Sequence, residues 1–184
     1  MQTEPRKCAF SYPVNVRRLA RKGRHIEYEG DEDVRALIAR DHDLLEVKTF
    51  CARSHVSPWK RDGVKLIGSV HADIVQPCAV TGEPLDQRVE ESFELTYLPE
   101  GSKPVMPQTD SDGELILDPI GDDPPEHFTG DSVDLALSWL EHFTLGIDPF
   151  ARVEGAEFDP EAEYNLRDSP FSVLEKLKSD PKKT

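Results

Sequence analysis

Between residues 63 and 98, apolar and polar side chains alternate with a period of two. Val64, Leu66, Val70, Ala72 and Ile74 fall on one side of the first run, and Lys65, Ser69, His71 and Asp73 on the other. A strand with one buried face has this period, because successive side chains leave a pleated backbone in opposite directions. After residues 76–84 a second run repeats it. There Val89, Phe93, Leu95 and Tyr97 face one way, and Arg88, Glu90, Glu94 and Thr96 the other. Pro77, Gly82 and Pro84 punctuate the connection, so the pattern predicts two long antiparallel strands joined by a turn carrying Cys78. Strands of this kind need a second layer against their apolar face.

Upstream, residues 10–16 read as a short strand or extended arm, and residues 24–28 as a short alternating strand. Gly30-Asp31 opens a helix to about Arg40, with Asp31, Glu32 and Asp33 complementing the dipole of its first turn. Val34, Leu37 and Ile38 share its apolar face. Residues 44–56 form another strand, with Leu45, Val47, Thr49 and Cys51 on one side and Glu46 and Lys48 on the other. A turn over residues 57–63 leads into the central pair.

Downstream, prolines at 99, 104, 107, 119, 124 and 125 sit among Asp110, Asp112, Glu114, Asp118, Asp122 and Asp123, which predicts a mobile acidic loop over 100–125. At most a short strand at 115–117 interrupts it. Asp131 is the expected N-cap of a helix to about Leu145, ended by Gly146 and Pro149. Val133, Leu137, Leu140, Phe143 and Ile147 form its apolar stripe, widened by Leu135 and Trp139. Asp134, Ser138 and Glu141 fall elsewhere. A linker over 156–168 precedes a short amphipathic tail helix at 170–178. The predicted fold is α+β: a mainly antiparallel sheet or partly closed barrel under a covering helix. It occupies a single domain over 1–155, with linker and tail helix over 156–184.

Charge changes this picture. The chain of 184 residues carries a net charge of −14, distributed as +3 over residues 1–60, −10 over 61–125 and −7 over 126–184. So acidic a surface repels a phosphate backbone over most of its area, which leaves room only for a local nucleic-acid contact. Arg17, Arg18, Arg21, Lys22 and Arg24 form the one dense basic cluster. It either grips phosphates or an acidic partner surface, or serves as a solvated face. Cys8, Cys51 and Cys78 are too few and too scattered for a disulfide framework. No signal-peptide core or membrane-spanning run is present, so a cytoplasmic protein without membrane contact is expected.

No phosphate loop, nucleophile elbow, zinc-protease helix or dinucleotide fingerprint occurs, and the carboxylates lie in loops and on wet faces. Glu126, Asp134 and Glu141 are the acidic trio that would form a site if two of them were sealed in one cleft. Without that, no enzyme, small-molecule substrate or cofactor is expected.

Three segments, 68–84, 125–135 and 140–152, together with the 170–174 tail, resemble the YceD family. These are the large ribosomal RNA subunit accumulation proteins of bacteria and plastids. The likeness spans most of residues 10–178 and is greatest to alphaproteobacterial-type members. It implies a non-enzymatic role in the synthesis, processing or stability of large-subunit rRNA, with ribosomal RNA or a large-subunit ribosomal protein as partner. The family-motif turn is carried here by Gln76, Cys78, Thr81, Glu83 and Pro84. Many members have Cys-x-x-Cys at this turn, whereas Thr81 stands at the second position here. Only half a zinc knuckle remains, and a structural zinc needs four ligands in tetrahedral reach, so no metal is expected. Two alternatives stay open: a metal or redox module centred on Cys78, and an adaptor for a basic ribosomal protein that uses the acidic loop or the tail helix.

Overall fold

The computed structural model describes residues 10–60, 62–102 and 124–156. Most of the acidic loop, the 115–117 strand, the linker with its tail helix, and Cys8 lie outside these residues.

Within them the chain runs β1 (Pro13–Asn15), a 3-10 turn (Val16–Arg18), β2 (Arg24–Glu29), α1 (Glu32–Asp41) and β3 (Glu46–Trp59). Then follow β4 (Gly63–Pro77), β5 (Pro84–Pro99), β6 (Glu126–Phe128), β7 (Ser132–Asp134) and α2 (Leu135–Leu145). The fold is α+β. Strands β2 to β6 form one open sheet in the order β2-β3-β4-β5-β6, antiparallel except where β6 joins β5 in parallel. The small pair β1–β7 is antiparallel. No described helix is long and apolar enough to cross a membrane.

The alternation in the central strands sets the inner face. Val64, Leu66, Val70, Ala72 and Ile74 of β4 are buried, as are Val89, Phe93 and Tyr97 of β5. Helix α2 covers this face across β4 and β5, while α1 packs on β3. Their fully buried members Trp139, Phe143, Leu135 and Ile38 join Phe50 and Val56 in one core. Asp31 caps α1 by accepting from the Val34 amide at 2.9 Å.

Three expectations need correction. First, the face assignment of the strand before β4 fails after Val47. The pairing with β4 slips at Val47/Thr49, so one extra residue enters β3 and reverses its phase. Phe50, Ala52, Ser54 and Val56 turn inward, while Thr49 and Leu45 are exposed and Cys51 lies on the outer face opposite His71.

Second, Asp131 does not cap α2. Residues 132–134 are held extended by pairing with β1, and the helix starts one residue after Asp134. The Asp134 carboxylate accepts from the Ala136 amide at 3.1 Å, the Tyr12 amide at 2.7 Å and the Ser11 hydroxyl at 2.6 Å. One side chain therefore caps the helix and ties the N-terminal segment to it. Third, the helix stripe is rotated. Ser138 is buried, its hydroxyl 2.7 Å from that of Tyr97, whereas Leu137 points outward at 55% exposure.

Candidate nucleic-acid interface

The basic cluster lies on the connection between β1 and β2. Arg17 is drawn aside, its Nε 2.7 Å from the Asp131 carboxylate. Arg18, Arg21, Lys22 and Arg24 are exposed, and none has an acidic partner among the described residues. The chain reverses at Gly23, whose φ of +74° lies in the left-handed region. A Cβ at Gly23 would also sit 2.6 Å from the His55 Nε2 atom. His55 locks the turn: its Nε2 lies 3.1 Å from the Lys22 carbonyl. Because a carbonyl only accepts, this ring nitrogen carries the hydrogen.

His55 belongs to the outer face of the sheet. Antiparallel register lines up His25, His55, Ile67 and Glu94 in one row across β2, β3, β4 and β5. Glu27, Arg53, Ser69 and Ser92 form the next row. The His25 and His55 rings lie 4.4 Å apart between centroids. These two rows line an open groove of about 660 Å³. The sequence separates His25 from His55 by a helix, and only the β2–β3 register brings them together.

The family-motif turn proves to be a clasp. Gln76 and Cys78 are buried; Thr81, Glu83 and Pro84 are exposed. The Gln76 side-chain Nε2 donates to the Asp148 carbonyl at 2.9 Å, and the Ala79 backbone amide to the Ala151 carbonyl at 2.9 Å. The Glu83 carbonyl closes the turn on the Cys78 amide at 2.7 Å. The Cys78 sulfur faces the Thr81 and Val153 amides at 3.5 and 3.4 Å. So the turn fastens the chain leaving α2 to the end of the central hairpin.

The Thr81 side chain first, then the amides of Thr81, Val153 and Val80, hold the Cys78 thiol down to about 6, against burial, which pushes it up. A thiol depressed below its ordinary 9.0 favours the folded state fully only above the ordinary value, and loses that contribution as pH falls through about 6. The stability margin of the native chain over Cys78→Ser, which cannot ionise, therefore widens as pH rises from 6 to 9. Thermal melts of the two proteins across that range check this; a constant margin contradicts it. No three His, Cys, Asp or Glu side chains among the described residues are placed to hold a metal ion.

At the opposite edge, Glu126, Asp134 and Glu141 line a second cavity of about 390 Å³ with Tyr97, Phe128 and Leu137. Glu126 and Glu141 share a cleft, as the acid-pair reading required, but both are exposed rather than sealed. Desolvation, then the charge of Glu141, raises the Glu126 carboxyl above its ordinary value. Burial first among its causes pushes the Tyr97 phenol up to about 12. A carboxyl raised in this way beside a second carboxylate marks a seat for a cation or a basic side chain. Comparison with protein-family models, with curated proteins and with solved structures gives no match to this chain.

Proposed function

We propose that this protein is a non-enzymatic cytoplasmic factor that supports large-subunit rRNA, touching RNA through the basic turn at residues 17–24. The observation that carries the reading is the placement of that cluster. On a chain of net charge −14, Arg18, Arg21, Lys22 and Arg24 project into solvent without acidic partners among the described residues. They do so beside an open groove. Cations left unpaired on an acidic body confine phosphate contact to one place. The resemblance of residues 68–84, 125–135 and 140–152 to the rRNA accumulation family supplies the ribosomal context.

Arg18→Glu, Arg21→Glu and Lys22→Glu, introduced together, test it in cells lacking the native chain. Arg17 is left in place, because reversing it would set two carboxylates together at Asp131 and disturb β7. The triple variant is expected to keep its stability within about 0.5 kcal/mol per substitution, as exposed sites do. It is expected to lose all restoration of large-subunit rRNA. Full restoration removes the turn from the account.

The cavity beside α2 favours a companion contact with a protein. Its carboxylates and the exposed Leu137 suit a basic segment of a ribosomal protein. A protein partner that survives nuclease treatment and is lost with Glu126→Lys/Glu141→Lys supports this contact. A partner unaffected by those changes contradicts it.

A further inference from the structure

We infer that the groove on the outer face of the sheet seats a single-stranded stretch of RNA, its backbone gripped by the basic turn and its bases lying on the groove floor. This rests on the RNA reading above and extends it to residues that no charge count singles out.

The turn and the groove are one unit. His55 is at once a wall of the groove and the hydrogen-bond donor that fixes Lys22, and it contacts Gly23 closely. A strand of RNA held at Arg18, Arg21 and Lys22 is thus delivered to the His25–His55 end of the groove. Imidazole rings offer flat faces on which bases stack, and such stacking is tolerant of sequence. The floor beyond them is Ile67, Ser69 and Ser92. Ile67 is 44% exposed, an apolar face for a base, and small hydroxyls beside it reach base edges or sugars without crowding. Arg53 lines the groove paired to Glu27, its Nε 3.7 Å from that carboxylate.

Charge across the groove gives it a direction. The basic turn, the histidine pair and the Glu27–Arg53 ion pair lie at the β2 end, and Glu94, its carboxylate 2.5 Å from the Lys65 ammonium, lies at the β5 end. The unpaired cations of the turn attract phosphates at the first end, while at the second the Glu94 carboxylate, shared with Lys65, can accept from exocyclic amino groups of bases. Backbone on one side and bases on the other is the arrangement of a single strand. A duplex would place a second phosphate backbone at the β5 end, where Lys65 and Arg88 are already paired with Glu94, Asp73 and Glu90. The width agrees: three inter-strand spacings separate β2 from β5, roughly 14 Å at about 4.8 Å each.

The test uses the full chain and fluorescence anisotropy, with a labelled single-stranded RNA of mixed sequence and a duplex of the same sequence, at two salt concentrations. The native protein is expected to prefer the single strand by tenfold or more. Ser69→Glu puts a charge on the floor without touching the turn and is expected to weaken binding about tenfold. His25→Ala, which spares the His55 bond to Lys22, is expected to weaken it by about fivefold or more, the low end of one lost stacking contact. The triple glutamate variant of the turn instead flattens the salt dependence, by about 2 in log–log slope if three phosphate contacts go. If Ser69→Glu and His25→Ala both bind as the native protein does while the turn variant fails, the groove inference falls and the RNA reading stands. If the native protein binds no RNA, the RNA reading falls, and the groove with it. Equal binding of the duplex, or displacement of RNA by an acidic peptide at the same concentration, overturns the single-strand assignment.

Discussion

Trp139→Ala lowers the unfolding free energy by about 3–5 kcal/mol, the range for deleting a large buried aromatic. Trp139 is fully buried in α2, under Phe10, Tyr12 and Tyr28, whose rings lie 6.4, 5.2 and 5.4 Å from its own. Its removal opens a cavity where the N-terminal segment, β2 and the helix meet. Domains of this size are stable by only about 5–15 kcal/mol, so the loss is a large fraction of the total. A polar link is lost as well, since the indole Nε1 donates to the buried Ser54 hydroxyl at 2.8 Å. The two parts are separable. Trp139→Phe keeps a ring but leaves Ser54 without its donor, and Ser54→Ala leaves the indole N–H without its acceptor; each costs about 1–3 kcal/mol. Because removing both partners avoids an unsatisfied buried group, the double variant should cost less than the sum. Denaturant unfolding of the four proteins measures this; strict additivity of the two single changes would dismiss the hydrogen bond.

Gly68→Ala is expected to destabilise by about 1–3 kcal/mol, although alanine is the better residue in most strands. Relief of chain entropy favours alanine by roughly 0.5–1 kcal/mol. Against it stands space. A Cβ at Gly68 would lie 2.6 Å from the Phe93 ring, 2.7 Å from the Ser54 hydroxyl and 2.8 Å from the Arg53 carbonyl oxygen. The Phe93 ring cannot simply swing away, because His142 stacks on it at 4.4 Å with the planes 8° apart. The carbonyl belongs to the β3 backbone, so it can give way only by moving the strand. Overpacking wins, and Gly68→Val should be worse still. Unfolding measurements that show Gly68→Ala as stable as the native chain would mean that Phe93 and the strand yield more readily than their contacts imply.

Gly68 also marks how far the fold was legible in the chain. The alternation in β4 and β5 predicted their buried faces because both strands have one wet and one dry side. Gly68 interrupted the alternation without shifting it. In β3 one extra residue after Val47 reversed the phase, and its signature, apolar Phe50 and Ala52 following Val47, was outweighed by the regular run before it. Asp131 has the chemistry of a cap but stands three residues before the one that caps α2, Asp134. What decides is the pairing of Val133 with Val14, far away in sequence. Ser138 resembled a wet-side residue because its partner, the Tyr97 hydroxyl, comes from another element. Strand β6 and its parallel pairing with β5 had no local signal at all.

The candidate interface was legible in the same proportion. Density of charge is a local property, so residues 17–24 stood out, yet the tie of Arg17 to Asp131 did not. His25 and His55 lie 30 positions apart and meet only through register. Placing both on outward positions of neighbouring strands would have required the β3 phase that the bulge concealed. In the chain Cys78 reads as half of a metal knuckle. Its bonds to Thr81 and Val153 give it a structural task that depends on a segment 75 residues away.

Whether residues 17–24 touch ribosomal RNA is read out by ultraviolet crosslinking of the full chain in living cells, with the attached RNA sequenced and the attached peptides identified. Large-subunit rRNA is expected to be enriched, with crosslinked peptides from residues 17–25, and both are expected to be lost in the triple glutamate variant. Recovery of proteins alone, or of rRNA attached at sites remote from the turn and unaffected by the variant, would contradict that contact.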